Sequence, residues 1–208
     1  MNYKLNELTV IIVTFKTDKT ILKNCLSSID PNVKVIIVEN SESFKYKNEI
    51  ENNFKNVKVL CSGSNIGMGA GNNYGLSNTK TNYALILNPD IICNKNFFLN
   101  IQKYLEEKID FTIIGGVYES AVYYKTAGFF DGKNLTEANF IKEFNLYEVD
   151  WVLGHTMLIN RKKFDQVKIF DENFFLFYEE TDLCKSVKIR NENIFMSSDL
   201  VIEHLGFK

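Results

Sequence analysis

The sequence predicts an α/β fold: a mostly parallel central sheet flanked by helices, with mixed strands added in the C-terminal half. Two observations predict this fold. Short apolar runs rich in Val and Ile alternate with segments of helical periodicity through the first half of the chain, which is the pattern of repeated strand–helix–strand units. In the second half, strand-like runs follow one another with few helical segments between them, which indicates further strands on the same sheet.

The parallel strands are expected in the first half of the chain. Each candidate is a continuous apolar run, typical of a strand that is buried on both faces. The predicted strands are 8–15, 33–39, 57–61 and 83–87, and the predicted helices are 18–30, 43–54, 66–78 and 95–107. Thr17 or Asp18 can cap the first helix, because either side chain can accept a hydrogen bond from the backbone of the first turn.

The second half has a different pattern. Its strand-like runs cover 111–117, 121–130, 148–159 and 200–205, and one helix is expected over about 180–190. No linker, internal repeat or low-complexity segment interrupts the chain. We therefore expect the 208 residues to form one domain, 1–208.

Composition and charge exclude several classes of protein. A net charge of −2 argues against a nucleic-acid partner, because such proteins usually carry a strong basic excess. The four cysteines are scattered without a C-x-x-C pair, so we expect reduced thiols in a cytoplasmic protein. The apolar run 8–15 is too short to span a membrane and lacks the cleavage site of a signal peptide. No transmembrane segment is therefore expected, and any membrane association would be peripheral.

Asn88-Pro89-Asp90 follows the fourth predicted strand. Ligands bind beyond the carboxyl ends of the strands in sheets of this kind. Proline has no N–H to donate and ends the strand, so Asp90 is expected to project from a rigid corner at that edge. A lone carboxylate there suits a divalent cation that takes its other ligands from water and phosphate. The alternative is an ordinary Asx-Pro turn.

Residues 65–75 are rich in Gly and Asn. Their spacing differs from G-x-G-x-x-G, and they follow the third strand rather than the first, so they are not a dinucleotide-binding fingerprint. A glycine-rich turn into a helix can still let the backbone approach a nucleotide or a sugar closely. The alternative is a flexible loop or a frayed helix start, because Gly is unfavourable within helices.

Four aromatic residues in 174–178 lead directly into three carboxylates, Glu179, Glu180 and Asp182. Acids at the edge of an aromatic pocket can have a raised pKa and can be directed at a substrate. Glu179 and Asp182 are three residues apart and share a helix face, whereas Glu180 points elsewhere. The alternative is a surface helix whose first turn is acidic because the helix dipole favours it.

Three further side chains are candidates for binding. Trp151, the single Trp of the chain, can stack on a sugar ring or pack in the core. His155 follows Gly154 in a strand-like run and is a candidate for the acceptor side. His204 ends the last strand-like run, and its alternative is a structural role.

These motifs, taken together and in order, resemble the family 2 glycosyltransferases, in the branch of bacterial rhamnosyl- and galactofuranosyltransferases. The resemblance covers nearly the whole chain. Its matching segments are 10–15, 38–41, 65–67, 73–75, 85–90, 154–159, 170–175 and 178–183, followed by His204. It implies the GT-A fold, with a donor-binding half over about 1–115 and an acceptor-side half over about 116–208.

The resemblance also implies a role for each candidate. Asp90 and His204 would bind Mn²⁺ or Mg²⁺, and Glu180 would be the general base, with Glu179 and Asp182 in support. The implied donor-binding residues are Thr14, Phe15, Glu39, Asn65, Gly67, Asn88 and Asp90. The donor would be a UDP- or dTDP-sugar.

The leading hypothesis is an inverting, metal-dependent hexosyl- or deoxyhexosyltransferase of bacterial surface polysaccharide synthesis. It would act in the cytoplasm, at the inner face of the membrane, on a glycan or lipid-linked acceptor. The alternative is a degenerate, non-catalytic binding module, since Glu39 and Glu180 stand where the family commonly has Asp, and Ser186 stands where Arg is common. A nucleotidyltransferase is disfavoured, because 14–18 lacks a glycine- and basic-rich signature.

Overall fold

A computed structural model describes residues 4–119, 126–165 and 168–205. The strands are β1 Leu8–Thr14, β2 Lys34–Glu39, β3 Val57–Cys61, β4 Tyr83–Leu87, β5 Ile91–Cys93, β6 Ile113–Tyr118, β7 Ala127–Gly128, β8 Phe140–Ile141, β9 Leu146–Val149, β10 Trp151–Val152, β11 Thr156–Asn160 and β12 Ile194–His204. The helices are α1 Lys19–Ser27, α2 Lys47–Asn53, α3 Met68–Ser77, α4 Phe97–Glu106 and α5 Glu179–Ile189. None of the helices in these ranges combines the length and apolar content that crossing a bilayer requires.

One sheet of mixed direction runs through both halves of the chain. Its strand order is β3-β2-β1-β4-β11-β6-β12-β9-β8, and β5 pairs with β12. The neighbours β3, β2, β1 and β4 are parallel, whereas β11 is antiparallel to β4 and to β6. The predicted fold class, an α/β fold whose parallel strands in the first half are followed by mixed strands on the same sheet, is therefore confirmed.

The second half departs from the predicted strands in detail. The run 148–159 is divided among β9, β10 and β11, because its parts pair with three different neighbours: β12, β7 and β4. Of the predicted strand 121–130, only β7 is a strand, and 120–125 lies outside the described residues. The strands β5 and β8 were not predicted. The last strand is longer than 200–205, because β12 begins at Ile194 and continues through an irregularity in its pairing with β6.

Two apolar cores lie on the two faces of the sheet. Alternate side chains of a strand point to opposite faces, and β1 shows this directly: Val10 and Ile12 belong to one core, Ile11 and Val13 to the other. The helices α1, α2 and α4 cover the first face, and α3 and α5 cover the second. Both sides of β1 are therefore shielded from water, which explains its uninterrupted apolar sequence.

The glycine-rich segment forms a helix, α3, because its glycines face the sheet. A Cβ built on Gly75 would lie 2.4 Å from Cγ2 of Ile11, and one on Gly71 would lie 2.9 Å from Cγ1 of Val13. Gly costs about 1 kcal/mol relative to Ala within a helix. The absence of side chains lets the helix backbone lie directly on β1, so tertiary packing outweighs the low helix propensity.

A buried serine organises the irregularity in β12. The Ser197 side chain is fully buried, and its Oγ lies 2.7 Å from the hydroxyl of Tyr104 on α4. The same Oγ accepts hydrogen bonds from the backbone N–H groups of Asp199 (3.1 Å) and Leu200 (3.2 Å). The pairing of β12 with β6 shifts register between Met196 and Val201. Ser197 therefore satisfies backbone donors at the point where the regular ladder is interrupted.

We predict that Ser197→Ala lowers the free energy of unfolding by about 1–3 kcal/mol, because it leaves a buried backbone donor without an acceptor. Urea unfolding of the two proteins measures the difference. The control is Ser198→Ala, at an exposed neighbouring position, which should change stability by less than about 0.5 kcal/mol. Equal stability of the two variants would contradict the role given to Ser197.

Candidate active site

A cleft of about 330 Å³ opens at the carboxyl ends of β1, β2 and β4. This is the edge at which parallel sheets bind ligands. Six of the seven predicted donor-binding residues line it: Thr14, Phe15, Asn65, Gly67, Asn88 and Asp90. The seventh, Glu39, lines an adjacent cleft of about 640 Å³ that shares Thr17 with the first. The structure therefore brings the predicted donor residues to one edge of the sheet.

Glu39 is held by two hydroxyl groups. Its side chain is buried at the end of β2, and Oε2 accepts a hydrogen bond from Thr14 Oγ1 at 2.7 Å. Oε1 accepts one from Ser41 Oγ, also at 2.7 Å. Each carboxylate oxygen has a second lone pair, so the group is fixed in place and can still accept a hydrogen bond from a ligand hydroxyl. Ser41 was not among the predicted site residues, although it follows Glu39 closely at the strand end.

The Asn-Pro-Asp corner is joined to the end of β12. The strand β5 follows the corner and pairs antiparallel with β12, so that His204 lies opposite Ile91. The backbone N–H of Leu205 donates to the carbonyl of Asp90 at 2.8 Å. This pairing brings His204 Nε2 to 3.7 Å from Asp90 Oδ2. The two predicted metal ligands, distant in sequence, are neighbours in the fold.

The chemistry of this pair fits a divalent cation. An imidazole nitrogen and a carboxylate oxygen are both ligands of metals such as Mn²⁺. Within 4–119, 126–165 and 168–205, no cluster of three or more His, Cys, Asp or Glu side chains could hold a metal ion. A cation held by Asp90 and His204 would leave coordination positions for water or for the oxygens of a diphosphate.

His155 lies behind this pair rather than on an open surface. Its ring packs on Tyr118 at 4.6 Å between centroids, and Tyr118 in turn contacts His204 edge-on at 5.8 Å. The Nδ1 atom lies 3.0 Å from Thr156 Oγ1, whereas Nε2 is buried without a hydrogen-bond partner. Burial lowers the pKa of His155 to about 3, so the ring is neutral. The predicted contact of His155 with an acceptor stays a prediction.

Trp151 packs against a glycine of the small β7–β10 sheet. A Cβ built on Gly128 would lie 2.8 Å from Cζ2 of the indole ring. The ring also contacts the second core and is partly buried. Core packing thus occupies one side of the ring. Stacking of a sugar on Trp151 stays a prediction.

The three carboxylates at the start of α5 have different surroundings. Glu179 is 7% exposed, and its Oε2 is buried without a partner. Burial, and secondarily the charge of Glu180, raises the pKa of Glu179. Glu180 is partly exposed and packs on Gly154, where a built Cβ would lie 3.2 Å from Cβ of Glu180. Asp182 is also partly exposed.

Most of the aromatic run before α5 is exposed, so these side chains do not enclose the three acids. Phe175, Leu176, Phe177 and Tyr178 are 56%, 50%, 69% and 69% exposed. Phe177 and Tyr178 both have left-handed backbone conformations, with φ of 67° and 70°, which turn the chain into the helix. Phe175 and Leu176 line the 330 Å³ cleft, so the run forms an apolar rim beside it.

Gly67 joins this rim to the donor cleft. Its φ is 88°, and a Cβ on it would lie 2.5 Å from the carbonyl oxygen of Phe175. The next residue, Met68, donates its backbone N–H to the same carbonyl at 2.8 Å. The Gly67 carbonyl accepts from Nδ2 of the buried Asn40 at 2.8 Å. Sequence reasoning did not select Asn40, although its position directly after Glu39 at a strand end was an available signal.

Comparison with known proteins identifies the family. Residues 9–178 match the family described as Glycosyl transferase family 2. The chain belongs to this family. The family predicted from the ordered motifs is thereby confirmed.

Two curated relatives are similar to this family 2 chain over most of its length. The low-salt glycan biosynthesis hexosyltransferase Agl10 of Haloferax volcanii is 29% identical over 201 residues, which cover 91% of this chain and 64% of Agl10. The rhamnosyltransferase WbbL of Escherichia coli is 28% identical over 190 residues, which cover 80% of this chain and 70% of WbbL. The chain therefore spans about two thirds of the length of these relatives.

A solved structure shows the same fold. The crystal structure of GalNAc-T7 with UDP, GalNAc and Mn²⁺ matches with a TM-score of 0.74 at 11% identity, covering 95% of this chain and 42% of GalNAc-T7. At this identity the likeness shows the fold alone. It confirms the GT-A fold that the resemblance implied for this family 2 chain.

We predict that Gly67→Ala destabilises the protein by about 2–4 kcal/mol, from a left-handed backbone and a clash with Phe175. Gly63→Ala is the matched control, because Gly63 has a similar φ of 85° with no atom within 4 Å of its built Cβ. The control should lose only about 1–2 kcal/mol. Urea unfolding compares the two variants, and equal losses would show that the contact with Phe175 is unimportant.

Proposed function

We propose that this chain is an inverting, metal-dependent glycosyltransferase. It transfers a hexosyl or deoxyhexosyl group from a UDP- or dTDP-sugar to a hydroxyl group of a glycan or lipid-linked acceptor, in the synthesis of a bacterial surface polysaccharide. The two relatives are a hexosyltransferase and a rhamnosyltransferase, which supports this class of reaction. The proposed location is the cytoplasm, at the inner face of the membrane.

One observation carries the proposal. Gly154 contacts the side chain of Glu180, and the next residue, His155, accepts a hydrogen bond at its carbonyl from the N–H of Asn88 at 3.0 Å. Two consecutive residues thus connect the acidic start of α5 with the corner that carries Asp90. Glu180, proposed to act on the acceptor, and the Asp90 corner, proposed to face the diphosphate, therefore lie on either side of one short segment. Sugar transfer needs one group near the acceptor hydroxyl and another near the leaving group.

The donor would bind along the edge formed by β1, β2 and β4. Thr14, Phe15 and Glu39 are proposed to hold the base and the ribose. Asn65, Gly67 and Asn88 are proposed to line the rest of the donor cleft. Asp90 and His204 are the residues that would hold Mn²⁺ or Mg²⁺, which when bound would neutralise charge on the diphosphate leaving group.

Glu180 is the proposed general base. Its carboxylate would accept the proton of the acceptor hydroxyl while the hydroxyl oxygen forms a bond to the anomeric carbon. The bond from that carbon to the diphosphate breaks in the same displacement, so the configuration inverts. Burial raises the pKa of Glu179, and this buried carboxyl is proposed to support Glu180. Asp182 is proposed to support Glu180.

The acceptor is proposed to enter over the second half of the chain. Trp151 and His155 are the proposed acceptor-side residues. We propose one domain over 1–208, with a donor-binding half over about 1–115 and an acceptor-side half over about 116–208. The exposed rim of four apolar side chains beside the cleft supports a lipid-linked acceptor and peripheral membrane association, because aromatic side chains favour the membrane interface.

A second candidate function is a binding module that holds a nucleotide-sugar without turnover. The departures from the residues that are common in the family, at Glu39, Glu180 and Ser186, favour it. Detection of donor hydrolysis or of sugar transfer to any acceptor would eliminate this candidate. A thermal-shift panel of UDP-, dTDP- and GDP-sugars, with and without Mn²⁺, would first identify the donor.

We predict that Glu180→Gln lowers kcat by about 10²–10⁴-fold, because the amide cannot accept the hydroxyl proton. Donor affinity, measured by calorimetry in the presence of Mn²⁺, should stay within about twofold, a change of about 0.4 kcal/mol. Glu107→Gln on the exposed end of α4 is the control and should retain full activity. Undiminished turnover of Glu180→Gln would rule out Glu180 as the base.

We predict that Asp90→Ala reduces donor affinity in Mn²⁺ to the level seen without metal, because the carboxylate ligand is lost. Calorimetric titration of the donor with and without Mn²⁺ measures this. The control is Asp165→Ala. Asp165 follows the end of β11, which pairs with the start of β4, so it lies at the opposite edge of the sheet from Asp90. A donor affinity of Asp90→Ala that still rises normally with Mn²⁺ would argue against a metal role.

A further inference from the structure

Asn73 on α3 is a buried amide whose hydrogen-bonding capacity is used entirely on one distant segment. Its side chain is 3% exposed. Oδ1 accepts from the backbone N–H groups of Ile169 and Phe170, both at 3.0 Å. Nδ2 donates to the carbonyl of Phe170 at 2.8 Å and to Oε1 of Glu172 at 3.1 Å. A primary amide has two donors and two acceptor lone pairs, so all four are occupied.

The rest of the same segment, 169–179, also lies along α3. A Cβ built on Gly69 would lie 3.3 Å from the carbonyl oxygen of Asp171 and 3.5 Å from Cβ of Glu179. Nearer the start of the helix, the backbone N–H of Met68 donates a hydrogen bond to the backbone carbonyl of Phe175. The helix that lines the donor cleft at its N-terminus therefore also supports the chain that leads into Glu180.

Hydrogen bonds and packing, rather than secondary structure, define the path of this segment. Between Lys168 and Tyr178 the described chain forms no helix or strand. The side chains of Phe175, Leu176 and Phe177 are at least half exposed and contribute little packing. Phe170 is buried in the second core, and this packing together with the contacts with α3 constrains where α5 begins.

We propose that Asn73 is a positioning residue for sugar transfer. Its amide fixes 169–172 on α3, and the chain from there to Glu180 is then held at a set distance from the donor cleft. This role rests on the proposed function, in which Glu180 is the general base. Displacing a reacting group by about 1 Å can lower a rate by about 10²-fold, so the anchor is expected to affect turnover more than donor binding.

Asn73→Asp is the sharpest test, because it keeps the shape and the two acceptor contacts but removes both donors and adds a charge beside Glu172. We expect kcat to fall by about 10- to 100-fold, with donor affinity in Mn²⁺ changed by less than about twofold. Rates are normalised to the folded fraction from unfolding curves. The matched control, Asn24→Asp at an exposed position of α1, should leave both quantities unchanged.

A double variant tests the assigned contact. With Asn73→Asp and Glu172→Gln together, the new amide at 172 can donate to the new carboxylate at 73, and the charge repulsion is removed. We expect the double variant to recover part of the kcat lost in Asn73→Asp, whereas Glu172→Gln alone has a small effect. If the double variant recovers none of the lost kcat, this contact does not position the segment and the proposal is overturned.

Hydrogen exchange gives a readout that does not need activity. In Asn73→Ala, which removes the acceptor of both groups, the amides of Ile169 and Phe170 should exchange at least about tenfold faster, and that of Gly71 within α3 should not. Unchanged exchange at Ile169 and Phe170, or equal losses of kcat and donor affinity, would overturn the anchoring role. An unmodified protein that binds the donor but transfers no sugar would instead contradict the proposed function, while the exchange result still decides whether Asn73 anchors the segment.

Discussion

The close approach of α3 to β1 is the contact on which the candidate site depends. Gly71 and Gly75 remove the side chains that would separate the helix from the strand. Gly67 and Gly69, at the start of the same helix, remove those that would keep out the chain before α5. Each glycine costs helix propensity, and close packing on two sides offsets that cost. The strand β1, the helix α3 and the chain that leads into Glu179 are therefore closely packed layers.

The other half of the site depends on the long strand β12. It runs parallel to β6 and antiparallel to β5 and β9. Through β5 it extends from the centre of the sheet to the Asn-Pro-Asp corner. The interruption at Ser197 lets one strand change partners while its buried backbone groups stay hydrogen-bonded. The ladder with β5 then sets His204 beside Asp90. The proposed metal site thus joins both halves of the chain, and the donor half alone does not contain it.

Local signals in the sequence predicted the parallel strands, the helices between them and the corner at Asp90, because periodicity and proline act over a few residues. The division of 148–159 among three strands could not be predicted in this way, since it depends on which distant neighbours pair with each part. The exposed rim was missed for a different reason. Phe177 and Tyr178 adopt left-handed conformations that aromatic residues rarely adopt, so no glycine or asparagine marked the turn.

The contrast between Glu179 and Glu180 shows how neighbouring identical residues acquire different chemistry. A helix start with no side-chain cap directs successive side chains to different sides, one toward α3 and one toward Gly154. Two ionised carboxylates side by side would repel each other, and burial of Glu179 relieves this by favouring its neutral form. Glu180 instead lies partly exposed beside Gly154. The backbone path into α5 therefore decides which of the two acids is buried and which one, the proposed base, stays partly exposed.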